Sequence, residues 1–306
     1  MVEDIGKIIS NGIGTYTKNL NLSIPFILNL FVTGLMFVIM VAFGFFLILG
    51  SSLGSLSKNT RPEDFFATII PFITQHILEI GFMVLIIILI TLFVGTFFMA
   101  GAIGMAKQAT ETGKTSISAL MEAGKDNVVN LFLAEILLGL LSLAGLVFLV
   151  PGAMQVDFSR IFSPENFSPQ NTGALFLLLG GFIVWMVYLL ILSIILSPVR
   201  FALVVDKLGP IESIAAGYGF FKKNWVDVIL LFLIVIAIVM VLWFIDMFMG
   251  FIPIINIIWP FVSLFINLFV LQPLVTVWWV RLYMTRTGKN IYINDLLAHP
   301  NDLGKP

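Results

Sequence analysis

Long apolar runs, separated by short polar and amphipathic stretches, dominate this chain. Six runs are long enough to cross a membrane: Ser23–Leu49, Phe72–Ala106, Val128–Val150, Gly173–Val205, Val226–Phe251 and Pro253–Met284. Each exceeds the roughly 20 residues a hydrocarbon core requires. The second, fourth and sixth are the longer ones and must tilt, bend or project beyond the lipid. Pro198 and Pro273 predict kinks in the fourth and sixth, because a proline removes a helix hydrogen bond and its ring clashes with the preceding turn. The second has no proline; Gly95, Gly101 and Gly104 are its weak points.

The polar stretches carry their own periodicity. Between the fourth and fifth runs, Gly209–Trp225 places Ile211, Ile214, Ala215, Tyr218 and Phe221 on one helical face and keeps Glu212, Ser213, Lys222 and Lys223 off it. Pro210 suits a first helical position, where a missing N–H costs nothing. An amphipathic helix next to a span belongs at the membrane surface. The N-terminal G-I-G-T-Y-T-K-N-L (Gly12–Leu20) matches G-Y-G-F-F-K-K-N-W (Gly217–Trp225), with Ile5, Ile8, Ile9, Ile13 and Tyr16 repeating the stripe. A weaker copy holds Ile117, Leu120 and Met121, followed by Lys125-Asp126-Asn127. T-E-T-G-K (Thr110–Lys114) recurs as T-R-T-G-K (Thr285–Lys289), with D-K-L-G-P (Asp206–Pro210) in the equivalent place. R-P-E-D-F (Arg61–Phe65) matches S-P-E-N-F (Ser163–Phe167) on the opposite side. The copies recur about every 100 residues, which makes internal repetition the main organising feature. The expected architecture is all-α: one integral membrane domain over 1–306 with six transmembrane helices in three hairpin repeats, 1–108, 109–205 and 206–306. Each hairpin follows an amphipathic elbow helix, and a last elbow, Ile291 to Leu297, closes the chain.

Composition agrees with the pattern. The chain of 306 residues is 59% hydrophobic and 11% charged, against roughly a quarter charged in soluble domains. A net charge of −1 gives no argument for nucleic acid. The absence of cysteine excludes disulfides, thiolate nucleophiles and Cys-ligated zinc. The polar N-terminus, with Glu3 and Asp4, does not read as a signal peptide, so the first span is expected to direct insertion. Of 16 lysines and arginines, all but Lys58, Arg61 and Arg160 fall on the side that holds both termini. The positive-inside rule then puts both termini and the elbows in the cytoplasm of a cell-membrane protein. Trp278, Trp279 and Tyr283 suit an aromatic belt at that surface.

The segment S-P-V-R-F-A-L-V-V-D-K-L-G-P-I-E-S-I-A-A-G-Y-G-F-F-K-K-N-W (Ser197–Trp225) is similar to the repeat signature of a family of six-span prokaryotic membrane proteins of unknown function. That family resembles the membrane domain fused to some glycerophosphodiester phosphodiesterases. D-I-G-K-I-I-S-N-G (Asp4–Gly12) and K-N-L-N-L-S-I-P-F (Lys18–Phe26) resemble the opening of an archaeal branch. The resemblance implies a membrane domain alone and carries no catalytic residue across.

Few residues offer chemistry. Q-A-T-E-T-G-K-T (Gln108–Thr115) ends like a phosphate-binding loop but lacks the first glycine and the preceding strand, and reads as a helix end turned by Gly113. His76 and His299 are expected on opposite faces, with His76 at the top of a helix, and neither a metal cluster nor a Ser-His-acid set can be built from them. The sequon Asn166-Phe167-Ser168 is followed directly by Pro169, which weakens it. Among ionisable residues in the spans, Glu79 and Asp246 lie toward outer ends, and Asp227 opens a span, where the helix dipole favours a carboxylate. Glu135 is the deepest, eight residues past Asn127 and about 12 Å along the helix. Arg200 lies near the cytoplasmic end of the next span, either snorkelling to the interface or meeting Glu135 in a salt bridge or shared polar pocket. These two residues form the candidate intramembrane polar site.

No catalytic, cofactor-binding or metal-binding residue is expected. The sequence therefore points to a non-catalytic multi-pass protein that organises lipid or binds membrane partners, with membrane lipids as the expected contact. The alternative is a transporter or channel with a cavity between the three repeats. A protein partner, or a second copy of the chain, is left open.

Overall fold

The computed structural model describes residues 3–49, 74–155 and 169–292. Among these the chain is all-α, without a strand. The first helix, α1 (Ile5–Lys18), begins where Asp4 accepts the Lys7 backbone N–H at 2.7 Å, which satisfies one of the free donors of the first turn. A 3-10 turn over Leu20–Ser23 leads into α2 (Ile24–Leu49). Next come α3 (Ile77–Thr112), topped by His76, and α4 (Ile117–Ala144), which runs on through a 3-10 turn and one short helical turn to Ala153. Gly113 ends α3 with φ +78°, the left-handed conformation that glycine adopts without strain. Then α5 (Pro169–Leu196) and α6 (Val199–Asp206) are separated at Ser197–Pro198, where the proline is expected to kink the span. The remaining elements are α7 (Pro210–Gly250), α8 (Ile255–Ile266), a π-helical turn (Asn267–Leu271) and α9 (Gln272–Arg286).

Six candidate spans emerge among the described residues: Leu20–Gly44, Ile77–Thr112, Ile117–Ala153, Gly173–Asp206, Pro210–Gly250 and Ile255–Arg286. They are between 25 and 41 residues long, each with a strongly apolar window, so the chain is a multi-pass membrane protein. Most large apolar side chains on these helices, such as Phe43, Phe82, Phe182 and Phe248, point away from the protein, toward the lipid that this fold requires around it. The core gathers instead at the end where α1, α6 and α9 meet, around Ile8, Ile103, Leu203, Val280, Leu282 and Met284.

Several sequence expectations change. The middle amphipathic stretch is not a separate helix, because Ile117–Ala144 is continuous through Asn127. The stretch before the fifth span does bend, at Asn224 (φ −128°, ψ 32°). Its apolar stripe is split: Phe221 packs against the core while Ile211 and Tyr218 stay exposed, and Ser213, Gly217 and Phe220 on the adjoining face are buried. The small residues win because they let backbones approach closely; a Cβ on Gly217 would lie 2.8 Å from the Val199 Cα. The same reason overturns the reading of Gly101 and Gly104 as weak points. They lie in an unbroken α3 and receive Leu120 and Ala123 of α4. Trp278, Trp279 and Tyr283 are not a belt but are buried, since α1 lies across α9 and Gly12 receives the Trp278 indole, whose Nε1–H donates to the Ile9 carbonyl.

The loop matches Arg61–Phe65 and Ser163–Phe167, the basic residues Lys58, Arg61, Arg160 and Lys305, the sequon and His299 lie outside the described residues. So does the closing segment to Leu297 beyond Tyr292, whose N–H donates to the Thr110 carbonyl.

Candidate functional site

Three helices turn matched faces toward one space. On α4, Glu135, Leu138, Gly139 and Ser142 follow three-and-four spacing, and so do Gln272, Val275, Thr276 and Trp279 on α9. Leu189, Leu192, Ser193 and Leu196 of α5 continue into Ser197 and Arg200 across the Pro198 break. With Phe26 and Met99 they enclose a crevice of about 620 Å³. A second crevice, of about 580 Å³, opens between α2 and α3, lined by Asn29, Thr33 and Phe37 on one side and Ile87, Thr91, Gly95 and Thr96 on the other. Met99, Glu135 and Arg200 line both.

The first crevice exists because α4 and α5 are pinned at their far ends and apart at the near ends. A Cβ on Gly145 would press on the Trp185 and Tyr188 rings, one on Gly152 on the Leu178 backbone, and one on Gly181 on the Phe148 carbonyl. Tyr188 Oη donates to the Leu141 carbonyl at 2.7 Å across the same contact. Six residues nearer the other end, Gly139 has open space where its Cβ would be. Gly95 is similarly free in the second crevice, with only Asn29 Oδ1 at 3.9 Å.

Glu135 and Arg200, singled out from the sequence, are together. The guanidinium grips the carboxylate as a fork, Nε donating to Oε1 and Nη2 to Oε2, the latter at 2.9 Å. The Glu135 side chain is 12% exposed and that of Arg200 45%, so the cation is the more accessible partner of the pair. In the second crevice, Asn29 Oδ1 and Thr91 Oγ1 are buried without a partner among the described residues.

Other charges have partners that sequence reasoning missed. Arg281, one of the basic residues assigned to the side of both termini, is buried and holds Glu3 through Nε at 2.7 Å and Nη2 at 2.6 Å, with Asn11 donating to the same carboxylate. Burial pushes the Glu3 carboxyl up, but the hydrogen bonds and charge of Arg281, with Asn11 and Lys7, outweigh it and hold the group below its ordinary value. Arg286 joins Asp227 at 2.6 Å and the Glu3 carbonyl at 2.6 Å. Asp206 accepts from Tyr283 and meets Lys289, and Asp126 raises the pKa of Lys207 above its usual range by a 3.0 Å hydrogen bond. Asp246 faces inward within its hairpin, accepting from Trp259 at 2.6 Å, while Glu79 lies 3.9 Å from His76. The loop at Gln108–Thr115 has its donors engaged within the protein, since the Thr115 N–H binds Asn19 and the Ser116 N–H binds Gln108. The one signal for the Glu3 partnership was an acid lying this close to an amphipathic helix, but helical spacing alone cannot identify a partner 278 residues away.

The site is thus a charged fork where two largely apolar crevices meet, in a bundle of membrane-crossing length. No curated protein and no solved structure matches the chain. The model of a family described as a domain of unknown function (DUF7847) matches residues 79–280, a stretch that runs from α3 into α9 and includes both Glu135 and Arg200, so the chain belongs to that family.

Proposed function

We propose that this protein is a non-catalytic multi-pass membrane protein that binds and organises lipid, with the two crevices as its binding site. One observation carries the reading: an ion pair, its cation half-exposed, stands on the shared wall of two apolar-lined spaces of about 620 and 580 Å³. Those volumes fall within the roughly 300–1,000 Å³ of small-molecule sites. Both oxygens of Glu135 accept from Arg200, which argues against a proton-transferring acid or base in the crevices. A transporter with a cavity between three units is the second reading, favoured by helices of all three proposed units lining the first crevice.

The three-unit reading has support in matched hydrogen bonds. Asn19, Asn127 and Asn224 occupy one position of the proposed repeat, and each Nδ2 donates to the carbonyl four residues earlier. Gly12 against Trp278 and Gly217 against Val199 form a second matched set. With units at 1–108, 109–205 and 206–306, the first elbow would seat on the last span and close a ring. Both termini would lie in the cytoplasm. In this cysteine-free chain, Ser116→Cys is expected to resist an impermeant thiol reagent added to intact cells, and Ser55→Cys to react. The reverse pattern would invert the orientation.

The lipid reading is tested by what the protein keeps. Purified in mild detergent, the wild type is expected to retain lipid by native mass spectrometry, and Gly139→Leu with Gly95→Leu, which fill the two crevices, to retain clearly less. Equal retention would remove the crevices from the account. Flux of a polar solute through reconstituted vesicles, abolished by the same changes, would favour the transporter.

A further inference from the structure

We infer that the ligand is a two-chained anionic lipid whose phosphate sits on Arg200, with one acyl chain in each crevice. This rests on the lipid-binding reading and names its substrate class.

Charge decides the headgroup. A guanidinium has five N–H donors. Two are used on Glu135, one from Nε and one from Nη2, and 5 − 2 leaves three. Arg200 is 45% exposed while Glu135 is 12% exposed, so of the two groups that line both crevices the guanidinium is the more accessible. Phosphate oxygens are the acceptors that fit such a fork most strongly. A zwitterionic head would bring a cation against the same guanidinium.

Geometry decides the number of chains. Both crevices begin at the level of Arg200 and Met99 and run away from the end that holds α1 and the close of α9. The first extends from Arg200 back to Leu189, 11 residues or about 16 Å along the helix. The second extends from Met99 back to Ile87, 12 residues or about 18 Å. Each is therefore about as long as half of the roughly 30 Å hydrocarbon core, the depth of one leaflet. Two leaflet-deep apolar slots diverging from a single cation match the plan of a lipid with one head and two tails.

Glu135 then competes with the phosphate for the same guanidinium. Its removal should strengthen binding of an anionic lipid even as it weakens the protein that carries no ligand.

The test titrates delipidated full-length protein in detergent with dioleoyl phosphatidic acid, dioleoyl phosphatidylcholine and single-chained lysophosphatidic acid, read by thermal shift and by native mass spectrometry. The expected wild-type result is phosphatidic acid half-saturating at a concentration about tenfold lower than phosphatidylcholine, the size of one charge-assisted contact. Glu135→Gln should widen that ratio, and Arg200→Met should abolish it while phosphatidylcholine still binds. Gly95→Leu should weaken phosphatidic acid and leave lysophosphatidic acid, which still has the first crevice, nearly unchanged. If Arg200→Met does not fold, the Glu135→Gln ratio decides the headgroup alone. Equal binding of the two dioleoyl lipids, or no change in Glu135→Gln, would overturn the headgroup assignment while the lipid reading stands. Equal losses of both phosphatidic acids in Gly95→Leu would overturn the two-chain assignment. Failure of all three lipids to shift the wild type would defeat the lipid-binding reading together with this one.

Discussion

Arg281→Met is expected to lower the stability of the detergent-purified protein by about 3–5 kcal/mol, because removing one partner of a buried ion pair leaves the other charge uncompensated. The Arg281 side chain is 3% exposed and that of Glu3 8%, so water cannot replace the lost partner. Glu3 also stands just before α1, and Arg281 sits in the middle of α9, so the pair fastens the first helix to the last. Glu3→Gln combined with Arg281→Met should recover part of the loss, whereas either change alone should not. Acid should reproduce the effect in the wild type. The folded-state pKa of Glu3 lies below its ordinary value of 4.5, so this stabilisation is complete above about pH 4.5 and is lost as pH falls through the depressed value. Thermal melts of wild type and Glu3→Gln across pH 3–7 should therefore converge at the acid end. A constant separation across that range would show that the Glu3 charge contributes nothing.

Arg200→Met is expected to cost about 2–3 kcal/mol, less than Arg281→Met because the Arg200 side chain is 45% exposed and its pair is partly open to the crevices. Glu135→Gln should cost less again, since Arg200 keeps donors that the neutral amide or a bound anion can use. The double change should be milder than the sum of the two, with a coupling of about 1–3 kcal/mol. Simple additivity in the melts would mean that the fork has no energetic role.

Much of this arrangement was legible in the chain. Length and apolar composition predicted the six spans, because a membrane imposes a minimum length that hydropathy reads directly. Pro198 predicted the break before Val199. Glu135 and Arg200 stood out because charge is expensive in lipid and consecutive spans are neighbours. What hydrophobic periodicity missed was packing by small residues. Phe221 of the apolar stripe packs on the core, but the close contact is made by Ser213 and Gly217, since a helix in a membrane is held by close approach rather than by hiding apolar surface from water. The Glu3–Arg281 pair was invisible for a different reason. Its partners belong to the first and last helices, and no local pattern encodes a contact across the whole chain. The crevices were equally hidden, because they arise where Gly139 and Gly95 leave space between helices, and hydropathy does not encode how far apart helices stand.

Photo-crosslinking in reconstituted membranes tests whether lipid occupies the space around Glu135 and Arg200. A phospholipid with a photoreactive group midway along one acyl chain would be activated and its adducts mapped by peptide mass spectrometry. Adducts are expected to concentrate on Leu189–Ser197 and Ile87–Met99, with the first set lost in Gly139→Leu. Adducts spread evenly over outward-facing residues such as Phe182, Phe244 and Phe261, and unchanged in Gly139→Leu, would contradict it.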